Sequence, residues 1–454
     1  MRPRYTVALA ALLAALCAYI YFVESLDVAA KNAPKMLLAV GADAIRGVTL
    51  TYGDRTIALA KGEGGWRLTA PLGAAADPVA VENLLRAVTT AEVTKSLDDA
   101  SSDLAPFGLA PPFVTIALTA ADATPPILKV GKATQVSGAT YVQRGDEPAI
   151  VLTGAALRTA VDKQPKDLRD KSVVEFRDAD ITAITLRGPD GVVELSQQNG
   201  TWTITRPSAH AADNAAVRAL LATLRTMQAT DFANDAPAAA DLAAYGLDAP
   251  RRELILRAGA DREVRVRIGT ETEQGVYVQA ADQPTVFVVG KWAAGDLDKG
   301  VNELRDKTLL TFDPTAAGTI AVAHAAAERF TLSRGEGGWT LDGAGDALNA
   351  SAVEGFVGAL SRLTGTAVIG DVPPQAGAEF GLAPPALTVA VTGRDGAAIG
   401  TVRFGAHTPD PPATEYTAQR DGDPAVFALP DFQFKPLDRR RADFVATAGP
   451  TPAP

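Results

Sequence analysis

Cysteine and histidine are scarce in this chain of 454 residues, which has one cysteine and three histidines. A single cysteine excludes an intrachain disulfide, so stability must come from packing alone. The cysteine, Cys17, lies in an apolar run, where a small packing residue is expected. The three histidines, His210, His324 and His407, show no metal-ligand spacing and are interpreted as surface residues.

The signatures of common catalytic and nucleic-acid sites are absent as well. The sequence contains no serine nucleophile elbow, no phosphate-binding P-loop and no dinucleotide fingerprint. Its glycine-rich stretches, residues 62–65 and 335–338, precede a strand-like tryptophan and predict hairpin turns. A net charge of −10 argues against nucleic acid, because phosphate binding needs a basic face. We therefore predict that the chain is not an enzyme and has no catalytic, cofactor or metal site.

The strongest positive feature is repetition. Three of the four tryptophans, Trp66, Trp202 and Trp339, are separated by 136 and 137 residues. The glycine of a Phe/Tyr-Gly-Leu motif recurs on nearly the same interval, and it is expected to take a positive φ or to end a helix. These glycines are Gly108, Gly246 and Gly381. One unit of about 136 residues is therefore copied three times, and each copy is long enough to bury its own core.

Each unit predicts the same order of elements. A three-strand meander ends at the tryptophan, which we interpret as a core residue. Asp77, Asp213 or Asn349 then caps a helix with apolar residues at helical spacing. Four strands and a short helix follow. The fold class predicted is α+β: an N-terminal transmembrane helix, then three tandem homologous domains of antiparallel meanders with one amphipathic and one short helix each.

The predicted domain boundaries follow the repeat. They are 1–35 for a cytoplasmic stub and anchor, 36–178, 179–315 and 316–447 for repeats 1 to 3, and 448–454 for a disordered tail.

The anchor is predicted from residues 5–23, which carry no charge. As a helix they would rise about 28 Å, close to the thickness of a hydrocarbon core. Arg2 and Arg4 precede the run and Glu24 follows it, so the N-terminus is expected inside and the rest in the periplasm, at the bacterial inner membrane. A signal peptide cleaved near residues 28–30 is the competing interpretation.

A charged segment closes the first two repeats. It consists of Leu168-Arg169-Asp170-Lys171 and Leu304-Arg305-Asp306-Lys307, and it loosens to residues 437–440 in repeat 3. The charges could cap the short helix and solvate the domain junction. The sharper hypothesis is that Arg169 with Asp170, and Arg305 with Asp306, form ion pairs that fix the angle between successive units. These four residues, together with Lys171 and Lys307, are therefore candidate inter-domain or partner contacts.

The combined pattern resembles the bacterial domain-of-unknown-function family DUF4340. The resemblance rests on the membrane run, the tryptophan strand before a capped helix, the Asp103–Pro111 and Asp241–Pro250 turns and the charged segment. The third copy departs from it, since Glu379 precedes Phe380-Gly381-Leu382. The resemblance implies an accessory role beside an ABC export system related to gliding-motility transporters, and it implies no catalytic residues.

The leading functional hypothesis is a non-enzymatic, single-pass inner-membrane protein. Its periplasmic repeats would act as an accessory or scaffold of an envelope complex, with an ABC-type permease or another envelope component as partner. A periplasmic module that binds a lipid or glycan is the alternative, and an envelope hydrolase is the third possibility.

Overall fold

The three repeats each fold around a hydrophobic core of their own. The computed structural model describes residues 12–16, 19, 35–97, 103–135, 137–259, 262–325, 328–343, 347–373, 377–405 and 415–446. The three cores run from Leu37 to Leu168, from Val173 to Leu304 and from Leu309 to Phe444. Val173 and Leu309 are fully buried in the core that follows them, so repeats 2 and 3 begin earlier than the sequence suggested. By compactness the chain forms two units, 1–172 with repeat 1 and 173–454 with repeats 2 and 3.

Repeat 1 is a nine-stranded antiparallel sheet. Its elements are β1 (Ile45–Thr51), β2 (Thr56–Gly62), β3 (Gly65–Ala70), β4 (Ala74–Ala75), α1 (Pro78–Thr89), β5 (Val93–Leu97), β6 (Val114–Ala120), β7 (Leu128–Ala133), β8 (Thr140–Arg144), β9 (Ile150–Thr153) and α2 (Ala155–Val161), with short 3-10 helices at Ala42–Ala44, Ala105–Phe107 and Pro165–Asp167. The strand order is β4-β3-β2-β1-β6-β7-β8-β9-β5.

Repeat 2 has the same strand order. Its elements are β10 (Ile181–Gly188), β11 (Gly191–Gln198), β12 (Thr201–Arg206), β13 (His210–Ala211), α3 (Asn214–Arg225), β14 (Ala229–Asn234), β15 (Arg252–Ala258), β16 (Arg262–Glu271), β17 (Val276–Ala280), β18 (Val286–Val289), α4 (Lys291–Asp296) and α5 (Val301–Leu304), with 3-10 helices at Asp178–Asp180 and Ala239–Tyr245. The sheet again has nine strands, from β13 at one edge to β14 at the other.

Repeat 3 has an eight-stranded sheet and a separate two-stranded ladder. Its elements are β19 (Thr308–Thr311), β20 (Ala317–His324), β21 (Arg329–Gly335), β22 (Gly338–Leu341), α6 (Ala350–Leu360), β23 (Arg362–Thr364), β24 (Ala367–Asp371), β25 (Leu387–Gly393), β26 (Ala398–Phe404), β27 (Glu415–Arg420), β28 (Ala425–Pro430) and α7 (Asp431–Phe434), with 3-10 helices at Gly377–Phe380 and Arg441–Phe444. The sheet order is β22-β21-β20-β25-β26-β27-β28-β24, and β19 pairs with β23.

One amphipathic helix packs on the core of each repeat. Asp77 and Asp213 each accept two backbone N–H groups from the first turn of their helix, and Asn349 accepts one. Four buried residues at i, i+3, i+4 and i+7 face the core in every copy. They are Val81, Leu84, Leu85 and Val88; Val217, Leu220, Leu221 and Leu224; and Val353, Phe356, Val357 and Leu360.

Steric constraints explain two glycines of each repeat: the glycine of the Gly-Leu turn and a glycine in the strand against which that turn packs. Gly108, Gly246 and Gly381 have φ values of 66°, 64° and 68°, a left-handed region that favours glycine. Each turn lies against a strand, and a Cβ on the strand glycine Gly269 would overlap the carbonyl oxygen of Tyr245. The second glycine therefore lets the turn approach the strand.

The predicted α+β class is wrong, because antiparallel sheet dominates the described structure. The strands β1, β10 and β20 pair with the strand after the Gly-Leu turn of their own repeat, for example Val48 opposite Leu118, so the two predicted meanders merge into one sheet. The pairing joins segments about 70 residues apart, and local periodicity carries no signal for it.

The predicted transmembrane helix is corrected too. In the part of the chain that the structure describes, no helix is long and apolar enough to cross a membrane. Most of the predicted span 5–23, including Cys17, lies outside that part, as do His407 and the tail 448–454. A single-pass membrane protein is not supported by the described structure.

Candidate functional site

The segment that closes repeat 2 passes directly into repeat 3. Leu304 is fully buried in the core of repeat 2, and its carbonyl accepts the backbone N–H of Asp213, the cap of α3, at 2.8 Å. Four residues later Thr308 begins β19, which pairs within repeat 3. Arg305 and the two residues after it therefore lie at the border between two cores.

Arg305 crosses that border. Its guanidinium donates two parallel hydrogen bonds to the carboxylate of Asp371 at the end of β24, at 2.9 and 3.1 Å. A second carboxylate of repeat 3, Asp423, lies 3.7 Å from the same guanidinium. The Arg305 side chain is only 5% exposed, against 45% for Asp371. A bidentate arginine–carboxylate contact fixes direction as well as distance, so repeats 2 and 3 are joined in a defined orientation at this point.

A histidine lies beside this ion pair. His210, on the edge strand β13, lines a shallow cleft of about 260 Å³ together with Arg305 and Asp423. Burial lowers the pKa of His210 below its ordinary value and the Arg305 charge lowers it further, while Asp371 and Asp423 oppose the shift. The imidazole Nε2 lies 2.6 Å from the Ser208 hydroxyl. The neutral form of the ring is therefore favoured next to the positive charge of Arg305.

The two residues after Arg305 stabilise the turn into repeat 3. The Asp306 carboxylate accepts the backbone N–H of Thr308 at 3.0 Å, so Arg305 pairs with Asp371 rather than with Asp306. The Lys307 ammonium donates to the carbonyl oxygens of Glu303 and Arg305. Both charged side chains therefore hold the backbone that positions Arg305.

The end of repeat 1 repeats this local geometry. The Leu168 carbonyl accepts the N–H of Asp77 at 3.0 Å, and the Asp170 carboxylate accepts the N–H of Ser172 at 2.9 Å. Arg169 is 8% exposed, so it is a buried arginine like Arg305. Lys171 is half-buried.

In repeat 3 the segment that corresponds structurally to Leu168-Arg169 and Leu304-Arg305 is not residues 437–440. The carbonyl that accepts the N–H of the helix cap Asn349 belongs to Phe444, at 2.9 Å. Phe444 therefore takes the place of Leu168 and Leu304, and Val445 takes the place of the two arginines. The sequence match to 437–440 was misplaced because repeat 3 departs from the common spacing after β26.

The sequence analysis did not predict Asp371 as a site residue, although its position follows the repeat interval. Asp371 follows Asp235 by 136 residues (371 − 235), the same interval that separates Arg169 from Arg305 (305 − 169). The acidic position therefore follows the repeat interval as the arginine does.

The three marker tryptophans have different environments. Trp202 is 2% exposed and belongs to the core of repeat 2, whereas Trp66 and Trp339 are only partly buried and pack against their cores. Trp339 lines an open cleft of about 540 Å³ with Arg334 and Glu354, and the Arg334 guanidinium lies 5.5 Å from the tryptophan ring centroid. The prediction of a core residue therefore fits Trp202 best.

Two aromatic side chains that the repeat pattern did not mark are the most exposed of their kind among the described residues. Trp292 in α4 is 72% exposed and Phe432 in α7 is 73% exposed. Both occupy the second position of the short helix after the last strand of the sheet, following the caps Gly290 and Pro430. Repeat 1 has Ala156 at this position of α2. Their spacing, 432 − 292 = 140, departs from the repeat interval, which hid the match in the sequence.

No group of three or more histidine, cysteine, aspartate or glutamate side chains in the described ranges could hold a metal ion. The clustered charges described above are instead paired with one another or with the backbone.

The repeats match a known protein family. The family model described as "Domain of unknown function (DUF4340)" matches residues 66–201, 202–376 and 339–449, which bears out the repeated domain. No curated protein matches the chain significantly. No solved structure does so either.

Proposed function

From the premise that the chain belongs to the DUF4340 family, we propose that it is a non-catalytic scaffold that binds a protein partner across repeats 2 and 3. The observation that carries the proposal is the contact of Arg305 with Asp371. Domains joined by a short linker move relative to one another unless their interface resists it. A bidentate ion pair between the buried Arg305 and the half-exposed Asp371 resists such motion at the point of connection, so the two repeats act as one binding body.

Charge and chemistry favour a protein over other partners. The chain carries 53 acidic against 43 basic residues, a balance that opposes phosphate-rich nucleic acid. The most desolvated charges of the junction already have partners, and this leaves no obvious acid–base pair poised for catalysis.

Cross-linking in the source cells tests the proposal. The full chain, its Asp371→Ala variant and a control variant, Arg86→Met, are purified after mild formaldehyde treatment. Arg86 forms an exposed ion pair with Glu82 inside repeat 1 and has no role at the junction. We expect one protein in fixed proportion with the native chain and the control, and several-fold less with Asp371→Ala. Recovery of no protein with the native chain, or equal recovery with all three, contradicts the proposal.

A further inference from the structure

One cleft on repeat 3 brings an aromatic ring and two opposite charges together. It lies between α6, the hairpin of β21 and β22 and the segment before β20, and its volume is about 540 Å³. Small-molecule sites commonly measure about 300–1,000 Å³ and combine aromatic walls with a few polar groups. Trp339 supplies the aromatic wall, and the charged lining residues are Arg334 and Glu354. The cleft therefore has the size and the composition of a site for a small ligand.

Arg334 is held beside the ring without a carboxylate partner. It is the cross-strand neighbour of Trp339, and its guanidinium lies 5.5 Å from the ring centroid. One of its N–H groups donates to the Pro314 carbonyl at 2.9 Å. The Asp313 carboxylate accepts the N–H and the hydroxyl of Thr315 instead. Among the described residues Arg334 forms no ion pair, so guanidinium donors remain available to a ligand.

Glu354 supplies the opposite charge from α6, and the repeats explain why it too has no ion-pair partner in the described ranges. In repeat 1 the equivalent residue is Glu82, which also lies five residues after the helix cap and pairs with Arg86 one turn later. Repeat 3 has Gly358 at the position of that arginine. The exposed carboxylate of Glu354 therefore remains available as a hydrogen-bond acceptor.

The corresponding tryptophan of repeat 2 is covered. Trp202 is 2% exposed, and its backbone N–H donates to the Asn214 side chain at 3.0 Å. In repeat 3 the position of this asparagine holds Ala350, and the position of Leu221 holds Val357. Both replacements are smaller, and both line the cleft. The access to Trp339 is therefore a property of repeat 3 and not a requirement of the shared fold.

The chemistry of the lining selects a class of ligand. A guanidinium only donates hydrogen bonds and a carboxylate only accepts them, so a hydroxyl, which does both, matches either side chain. The charges of Arg334 and Glu354 sum to zero, which gives no advantage to an anion or to a cation. The indole face offers an apolar surface to a flat ring. A neutral sugar combines hydroxyl groups with an apolar C–H face in one molecule.

We propose that this cleft binds a neutral sugar unit, stacked on Trp339 with its hydroxyl groups hydrogen-bonded to Arg334 and Glu354. The site goes beyond the scaffold function and does not depend on it. The strand β22, which carries Trp339, and the strand β24, which carries Asp371, are the opposite edges of the eight-stranded sheet. Loss of partner binding at the junction therefore leaves this site intact, and loss of the site leaves the junction intact.

Isothermal titration calorimetry of the purified full chain tests the site. The probes are the linear tetrasaccharides of glucose and of N-acetylglucosamine, and glucose 6-phosphate is the charged comparison. We expect at least one tetrasaccharide to bind once per chain and more tightly than glucose 6-phosphate. Binding of neither tetrasaccharide, or tighter binding of the phosphate, overturns the proposal.

Substitutions then assign the binding to this cleft. Trp339→Ala should weaken it about tenfold or more through loss of the stacked ring. Glu354→Ala changes an exposed position that keeps the fold, and loss of a hydrogen bond to a charged group should weaken binding about tenfold. Val357→Leu restores the residue type of repeat 2 and should weaken binding by narrowing the cleft. Trp292→Ala, which removes a ring 72% exposed in α4, is the matched control and should bind like the native chain. Unchanged affinity of Glu354→Ala and Val357→Leu overturns the assignment.

Discussion

Removal of Asp371 should open the contact between repeats 2 and 3, and the structure sets the size of the effect. The Arg305 side chain is only 5% exposed in the native chain. Asp371→Ala removes its bidentate partner, and among the described residues the carboxylate that remains at this site is Asp423, 3.7 Å away. Hydrogen bonds to charged groups contribute roughly 1.5–3 kcal/mol each when both partners are buried. Because Asp371 is 45% exposed, solvent screening reduces the two bonds to about 2 kcal/mol in total.

Arg305→Met should cost less than Asp371→Ala. The methionine fills part of the same space and carries no charge, and the half-exposed carboxylate of Asp371 can be hydrated when its partner is lost. We expect a cost below about 1 kcal/mol, because a buried charge without a partner is worse than an apolar replacement. Which of the two variants loses more stability therefore tests whether charge pairing, and not shape alone, maintains the junction.

Hydrogen exchange of the full chain measures the local opening. The reporter is the Gly365 amide, which donates to the carbonyl of Lys307 at 2.8 Å across the start of repeat 3. A loss of about 2 kcal/mol makes exchange about thirtyfold faster. Arg86→Met in repeat 1 should leave this amide unchanged. The reasoning fails if Asp371→Ala leaves exchange unchanged, or if Arg305→Met accelerates it as much or more.

Three further predictions concern the fold and its response to pH. Gly269→Ala should unfold repeat 2 or destabilise it by several kcal/mol, because the new Cβ overlaps the Tyr245 carbonyl oxygen. Gly295→Ala is the control, since its Cβ meets open space, and thermal denaturation should show unchanged stability. Burial raises the pKa of Tyr52 above its usual value of 10, so its stabilisation is complete below pH 10 and is lost as pH rises; Tyr52→Phe should flatten that decline in urea titrations. Burial lowers the pKa of His210, so its stabilisation is present above pH 6.5 and is lost as pH falls; His210→Asn should remove this acid sensitivity of exchange at the junction.

Local chemistry was predictable from the sequence where it depends on neighbouring residues. The helix at Asp77 follows from a carboxylate that caps the first turn and from apolar residues at helical spacing, both local properties. The left-handed Gly108 follows in the same way from the residue type at a turn. The repeat itself followed from rare residues at equal intervals.

Long-range pairing and repeat boundaries were not predictable in this way. The antiparallel pairing of β1 with β6 depends on partners far apart in sequence, and nothing in either strand alone identifies the other. The predicted boundary at residue 178 placed Val173 in repeat 1, yet its side chain is buried in the next core. Likewise, Asp371 becomes a site residue only when the fold brings it to Arg305.

The three copies separate what folding requires from what recognition can use. Positions that keep the repeat interval, such as the caps and the two glycines, cap a helix or meet the same steric demand in each copy, so their recurrence is explained by the fold. Ala156, Trp292 and Phe432 share one backbone position and differ in chemistry, and no packing constraint in the described structure accounts for the difference. Recurrence at the repeat interval therefore marks what the fold requires, and a position whose side chain changes from copy to copy lies outside that requirement.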